Sequence, residues 1–193
     1  MPLSPSLLRA TFAAWLLLLL PACEVNADMF GLFAKKYDVH LSPAVNGRLT
    51  KDGQPLAGVN VVRDLHYDKP LIDKTTTDAD GRFSFPAKSI RSSLPGGLFT
   101  GDIPVSQTIE AKVDGSLYLL WHTTQHGFEE NPELAIRLKQ LNCDLNNEEV
   151  VYYVPNPDPV WSKARMEHGI GTICRWPFGP EPYTLEELNN INL

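Results

Sequence analysis

His122 and His126 stand four residues apart, the spacing that on a helix puts both imidazoles on one face within reach of a single zinc ion. Their neighbours read as a strand instead, and at roughly 3.3 Å per residue a strand holds the two rings about 13 Å apart, too far for one metal. The glutamate of a helical metalloprotease motif is missing beside them. Glu129 and Glu130 are adjacent carboxylates ahead of Pro132, a turn setting in which such a pair is normally solvated. A Gly-x-Ser-x-Gly elbow, a Walker loop and a dinucleotide glycine fingerprint are all absent. The residues therefore point to no catalytic group, no metal and no cofactor. What remains is recognition: Arg175-Trp176-Pro177-Phe178-Gly179-Pro180-Glu181-Pro182-Tyr183 packs hot-spot residue types into a proline-stiffened segment that loses little entropy on binding. Arg175, Trp176, Phe178 and Tyr183 are the partner-binding candidates. The competing use of Trp176 and Phe178 is to drape over the core and seal it.

Cysteine chemistry depends on the compartment, and the compartment is written in the first 27 residues. Arg9, the apolar stretch 10–20 and the helix breaker Pro21 form a secretory signal, too short for a membrane span. Val25-Asn26-Ala27 offers a signal-peptidase cut that leaves a soluble product starting at Asp28. Leu20-Pro21-Ala22-Cys23 offers a lipobox, which would make Cys23 a lipid anchor facing the periplasm from the outer membrane. Pro21 sits poorly in the lipobox and well at the end of a signal helix, which favours the soluble product. With Cys23 removed or lipidated, Cys143 and Cys174 are left as a pair in an oxidising compartment, where a disulfide is expected and two buried free thiols are the alternative.

Removal of residues 1–27 leaves 166 residues, the size of one domain with a sizeable core, and an unchanged net charge of −6. That acidity argues against nucleic acid and anionic lipid as partners. No later segment is apolar for long enough to cross a bilayer as a helix.

The elements that must position these residues are short strands. Val45, Gly47 and Leu49 alternate with polar neighbours ahead of the Asp52-Gly53 turn, and Val59, Val61, Arg63 and Leu65 repeat the pattern. Residues 75–77, the turn Asp78-Ala79-Asp80-Gly81, Phe83 and Phe85 suggest another hairpin. Residues 86–104, rich in Pro, Gly and Ser, read as a long connection. Strands resume at Ile109, Ala111 and Val113 and, after Asp114-Gly115, at Leu117, Leu119 and Trp121. Residues 134–138 fit a helical stripe as well as a strand; the alternation of Leu134, Ile136 and Leu138 favours strand. Residues 150–154 are β-branched and aromatic, and the turn-rich residues 155–159 follow. Thr184 with Glu187 forms a capping box for a short C-terminal helix. The fold class is all-β: a β-sandwich with a disulfide-tied C-terminal extension and accessory helices.

The segments Gly47-Arg48-Leu49-Thr50-Lys51-Asp52-Gly53-Gln54-Pro55-Leu56-Ala57-Gly58-Val59-Asn60-Val61 and Thr77-Asp78-Ala79-Asp80-Gly81-Arg82-Phe83-Ser84-Phe85 resemble the transthyretin-like, or carboxypeptidase-regulatory-like, sandwich family over about 43 of the 193 residues. The resemblance implies a transthyretin-like, Ig-like sandwich whose core lies at about residues 44–87, within a single domain spanning 28–193. It implies a binding or structural module. Transthyretin-like enzymes that hydrolyse 5-hydroxyisourate end in Tyr-Arg-Gly-Ser, whereas this chain ends Asn189-Asn190-Ile191-Asn192-Leu193. The layout is similar to that of small periplasmic proteins, some of which protect their producer against toxins of type VI secretion systems. The expectation is a non-catalytic protein-binding module, most concretely an immunity-type inhibitor of a secreted toxin. The alternatives are a periplasmic hydrolase and a cell-envelope accessory module.

Overall fold

A computed structural model describes residues 35–96, 103–156 and 167–191. The signal segment 1–27, the lipidation candidate Cys23 and most of the turn 155–159 lie outside the described residues. Contacts divide the chain into residues 1–35 and 36–193, and every element below belongs to the second unit.

The alternating segments form strands: β1 (Tyr37–Ser42), β2 (Val45–Lys51), β3 (Gln54–Pro55), β4 (Asn60–His66), β5 (Pro70–Thr76), β6 (Arg82–Phe85), β7 (Lys88–Ser92), β8 (Val105–Val113) and β9 (Ser116–Gln125). Helix α1 (Pro132–Leu138) follows, then β10 (Leu141–Asp144), β11 (Val150–Pro155), β12 (Glu167–Thr172), β13 (Tyr183–Thr184) and helix α2 (Leu185–Ile191). The architecture is an all-β sandwich. A seven-stranded sheet runs β13-β11-β12-β9-β8-β4-β5, and a smaller sheet is built around β2, which pairs with β10 on one edge and with β3 and β6 on the other. β1 and β7 form a separate ribbon. Among the described residues no helix is long and apolar enough to cross a membrane.

Period-two patterning decides which side chains meet between the sheets. Val45, Leu49, Phe83, Phe85, Leu141 and Cys143 from the small sheet face Val61, Ile109, Ala111, Trp121, Tyr152 and Ile170 from the large one, all in one buried cluster. Each fully buried Leu, Val or Phe contributes about 1.5–3 kcal/mol. Gly47 makes that packing fit: a Cβ there would overlap the Phe83 ring. The Asp52-Gly53 and Asp114-Gly115 turns have both residues at positive φ, as the tightest hairpins require. Arg63 alternates inward with Val61 and Leu65 and is wholly buried. Its guanidinium lies 4.8 Å from the centre of the Phe85 ring, pairs with Asp73 and donates to Pro86 O at 2.9 Å. The Arg63 hydrogen bond, with help from Lys88, holds the Asp73 carboxyl below its ordinary range.

Several expectations need correction. Residues 134–138 are helical: Asn131 caps α1 by accepting from the amides of Glu133 (2.9 Å) and Leu134 (3.3 Å), and Pro132 occupies the first turn. Leu134 and Leu138 then plug the core, so this helix is no accessory. The segment 75–85 is no hairpin. β5 pairs with β4 in the large sheet and β6 with β2 in the small one, so Asp78-Ala79-Asp80-Gly81 crosses between sheets. Asp78 Oδ1 fixes that corner by accepting from the amides of Asp80 and Arg82 at 2.9 and 2.8 Å. Part of the connection 86–104 is a strand, β7, paired with β1. Finally, a bulge in β9 sets Trp121 opposite Ile109 and Leu119 opposite Glu110, leaving Leu120 as the extra residue. Consecutive Leu120 and Trp121 are therefore both buried, while Leu117 is turned outward and is 63% exposed.

Candidate functional site

Cys143 on β10 and Cys174 just after β12 are joined by a disulfide, which resolves the open choice between a bridge and two thiols. The bond ties the start of the strap 175–183 to the small sheet, reinforced by Arg175 N donating to Asn142 O at 3.2 Å. Thr172 Oγ1 accepts from the Cys174 amide at 2.9 Å, so the strand end is held on both sides of the bridge.

The strap distributes its aromatic residues unequally. Trp176 is buried, its ring centre 5.2 Å from Tyr152 and 6.2 Å from Trp121 in edge-on contacts, and its Nε1 donates to Arg137 O at 3.1 Å. It seals the core. Phe178 is half-buried against the same cluster, with the Arg137 guanidinium 5.7 Å from its ring centre. Arg137 is itself buried and is steadied by the Glu133 carboxylate at 2.9 Å. As a surface anchor Trp176 is thus corrected: its apolar area is already spent inside the fold.

Tyr183 faces outward. It is 43% exposed and meets Tyr153 of β11, 36% exposed, edge-on at 5.8 Å between ring centres. The two tyrosines share a cleft of about 680 Å³ with Glu167, Glu181, Glu187 and the rigid Pro180 and Pro182. Glu187 closes the expected capping box: its carboxylate accepts from Thr184 N at 2.7 Å, and Thr184 Oγ1 accepts from Glu187 N at 3.2 Å. The Thr184 hydrogen bonds hold the Glu187 carboxyl below its ordinary range. Two tyrosine faces ringed by three carboxylates suit a cation. Arg175 lines a different cleft, with its guanidinium on Cys174 O (3.0 Å) and Glu148 O (2.7 Å). The structure therefore separates it from Tyr183.

The histidine pair is not brought together as a ligand set. His122 is exposed on β9 beside Thr108 Oγ1 at 3.3 Å, and His126 follows the end of that strand. Among the described residues no three His, Cys, Asp or Glu side chains gather to hold a metal. His168, which no sequence motif marks, is buried on β12 with Nδ1 3.2 Å from Thr124 O. Burial pushes its imidazole below its ordinary value; the Thr124 carbonyl hydrogen bond partly opposes this, and nearby His126 adds to it. A second unread group is His40, whose Nδ1 lies 3.4 Å from Ser89 Oγ and whose Nε2 lies 3.5 Å from Glu130 Oε2. Burial lowers the His40 pKa and Glu130 partly opposes it. Residues 40, 89 and 130 share no local motif, and only the β1–β7 pairing brings the first two together.

The family model of DUF6795, described as a domain of unknown function, matches residues 45–148, more than half of the chain. The chain belongs to this family. No curated protein and no solved structure matches it. The DUF6795 segment runs from β2 through β10 and contains Cys143, but not Cys174, the strap or Tyr153. The tyrosine cleft is thus carried entirely by residues beyond the matched segment.

Proposed function

We propose that this DUF6795 chain is an exported, non-catalytic recognition module on a transthyretin-like sandwich, acting in the periplasm by binding a basic surface of another protein. Its most concrete form is an immunity-type inhibitor of a periplasm-directed toxin. The observation that carries the reading is the Tyr153–Tyr183 pair, two exposed rings, one on β11 and one at the end of a strap whose inner face is fixed by Trp176 and by the Cys143–Cys174 bond. A partner Lys or Arg entering this cleft meets ring faces and the carboxylates of Glu167 and Glu181 together. Rigid aromatic anchors bind without a large ordering cost. The net charge of −6 adds long-range attraction for a basic partner. The signal segment supports export, with the soluble product favoured over a Cys23-anchored one.

The test is calorimetric titration of the exported protein with the product of an adjacent secreted-toxin gene. Tyr153→Ala and Tyr183→Ala should each weaken binding by roughly 2 kcal/mol or more, and added salt should slow association. Wild-type affinity in the double variant would overturn the reading. A hydrolase reading has one observation in its favour, the Ser89–His40–Glu130 alignment. Its signature would be covalent labelling by a fluorophosphonate that Ser89→Ala abolishes.

A further inference from the structure

On the outer face of the small sheet, strand register sets Arg48 of β2 directly opposite Arg82 of β6 and, on its other edge, opposite Asn142 of β10. Asn142 O in turn accepts from Arg175 N, which extends the row across the whole sheet. Like charges directly opposite one another destabilise a sheet, so the facing of Arg48 and Arg82 works against the fold. Solubility requires charge somewhere on the surface. It does not require three guanidinium groups in one row of a chain whose carboxylates outnumber its bases.

The manner in which these arginines are held is informative. Arg48 Nε donates to Asp80 O at 3.0 Å, and the Arg175 guanidinium donates to Cys174 O and Glu148 O, all main-chain carbonyls. These contacts fix the groups in place without neutralising them. Among the described residues no carboxylate lies within ion-pair distance of Arg48, Arg82 or Arg175. The nearby Asp144 carboxylate is engaged otherwise. Burial raises its pKa, but the Gly53, Asn146 and Asp52 amides and the Thr50 hydroxyl outweigh that and lower it. The three arginines, with Thr50, Asn142, Asn147 and the engaged Asp144, line a cleft of about 560 Å³, and Arg82 and Asn142 also line a neighbouring cleft of about 470 Å³ together with Lys139 and Asp78.

We propose that this face is a binding site for an oxyanionic group, a carboxylate or phosphate carried by a small, extended polar ligand, gripped between Arg48, Arg82 and Arg175. Guanidinium forks match the two oxygens of such a group, and the exposed Asn142 amide on β10 supplies a neutral donor beside them. Most of the site lies within the DUF6795 segment, and it uses none of the residues of the tyrosine cleft. It stands or falls independently of the protein-binding reading.

The test is an amide and arginine Nε NMR titration of the exported protein with orthophosphate and, separately, with citrate. Saturable shifts are expected at Arg48, Arg82, Asn142 and Arg175, and Arg82→Met should weaken them about tenfold or more. Arg91→Met, an exposed arginine on the β1–β7 ribbon, should change nothing. Melting temperature separates this role from a structural one: removing one member of a like-charge pair should leave it unchanged or raise it. Saturation by only one of the two anions supports the site and names the ligand's group. Unsaturable shifts, shifts that survive Arg82→Met, or a melting temperature lowered by that substitution would overturn the proposal.

Discussion

Replacing Trp176 by Ala should unfold the protein far more readily than any other truncation in the strap. The side chain is 8% exposed, and its ring is enclosed edge-on by Tyr152 and Trp121. A buried Trp→Ala change costs about 3–5 kcal/mol, the lost transfer energy plus the cavity left behind. Within that figure the two aromatic contacts account for about 0.5–1.5 kcal/mol each. The Nε1 hydrogen bond to Arg137 O accounts for about 1 kcal/mol more. For a domain of this size each kcal/mol moves the melting temperature by about 2–4 °C, so a fall of about 6–20 °C is expected. Tyr183→Ala gives up one exposed ring contact and should cost about 0.5–1.5 kcal/mol, about 1–6 °C. The assay is thermal unfolding of both variants side by side under oxidising conditions. Equal melting temperatures would refute the division of the strap into an inner anchor and an outer recognition face.

Reducing the Cys143–Cys174 bond, which closes a separation of 31 residues, should destabilise the protein by about 3–4 kcal/mol in urea titrations. Two alkylatable thiols at these positions in protein purified without reductant would contradict the bond. Asp73 has its folded pKa lowered by Arg63, so its contribution is present above the unfolded carboxyl value and is lost as pH falls through the folded one. Asp73→Asn should therefore flatten the acid limb of the stability curve. At neutral pH it should cost about 1–3 kcal/mol, because the buried Arg63 loses its counter-charge. An acid limb identical to wild type would refute that assignment. If the Asp28 start is used, cells fed labelled palmitate should yield an unlabelled protein; label that vanishes in Cys23→Ser would show that the lipobox is used instead.

The sandwich was legible because half-buried strands must alternate, and β2, β4 and β8 do so without interruption. The disulfide was legible by counting, since the expected loss or lipidation of Cys23 leaves Cys143 and Cys174 as each other's partner. Features set by a long-range partner were harder to read. Leu117, Leu119 and Trp121 alternate as if they shared a face, and nothing local reveals that the chain spends an extra residue at Leu120. The corner at Asp78 has the chemistry of a hairpin turn, but the next strand finds its partner in the other sheet. Helix α1 did carry a local signal in Asn131-Pro132-Glu133, a cap followed by a first-turn proline, which the apolar alternation obscured. On the functional side, Tyr183 was singled out from residue type alone. Its partner Tyr153 sits inside a strand run whose outward residues look like any others until the strap returns beside β11.

We propose recognition of a protein by the Tyr153–Tyr183 cleft as the work of this chain. The most direct measurement is survival of a strain deleted for the gene, grown against a toxin-producing sister strain and complemented with wild type or with the double variant Tyr153→Ala, Tyr183→Ala. The deletion strain should be killed, wild type should restore survival, and the double variant, exported and folded, should not. Survival of the deletion strain, or full protection by the double variant, would contradict the proposal.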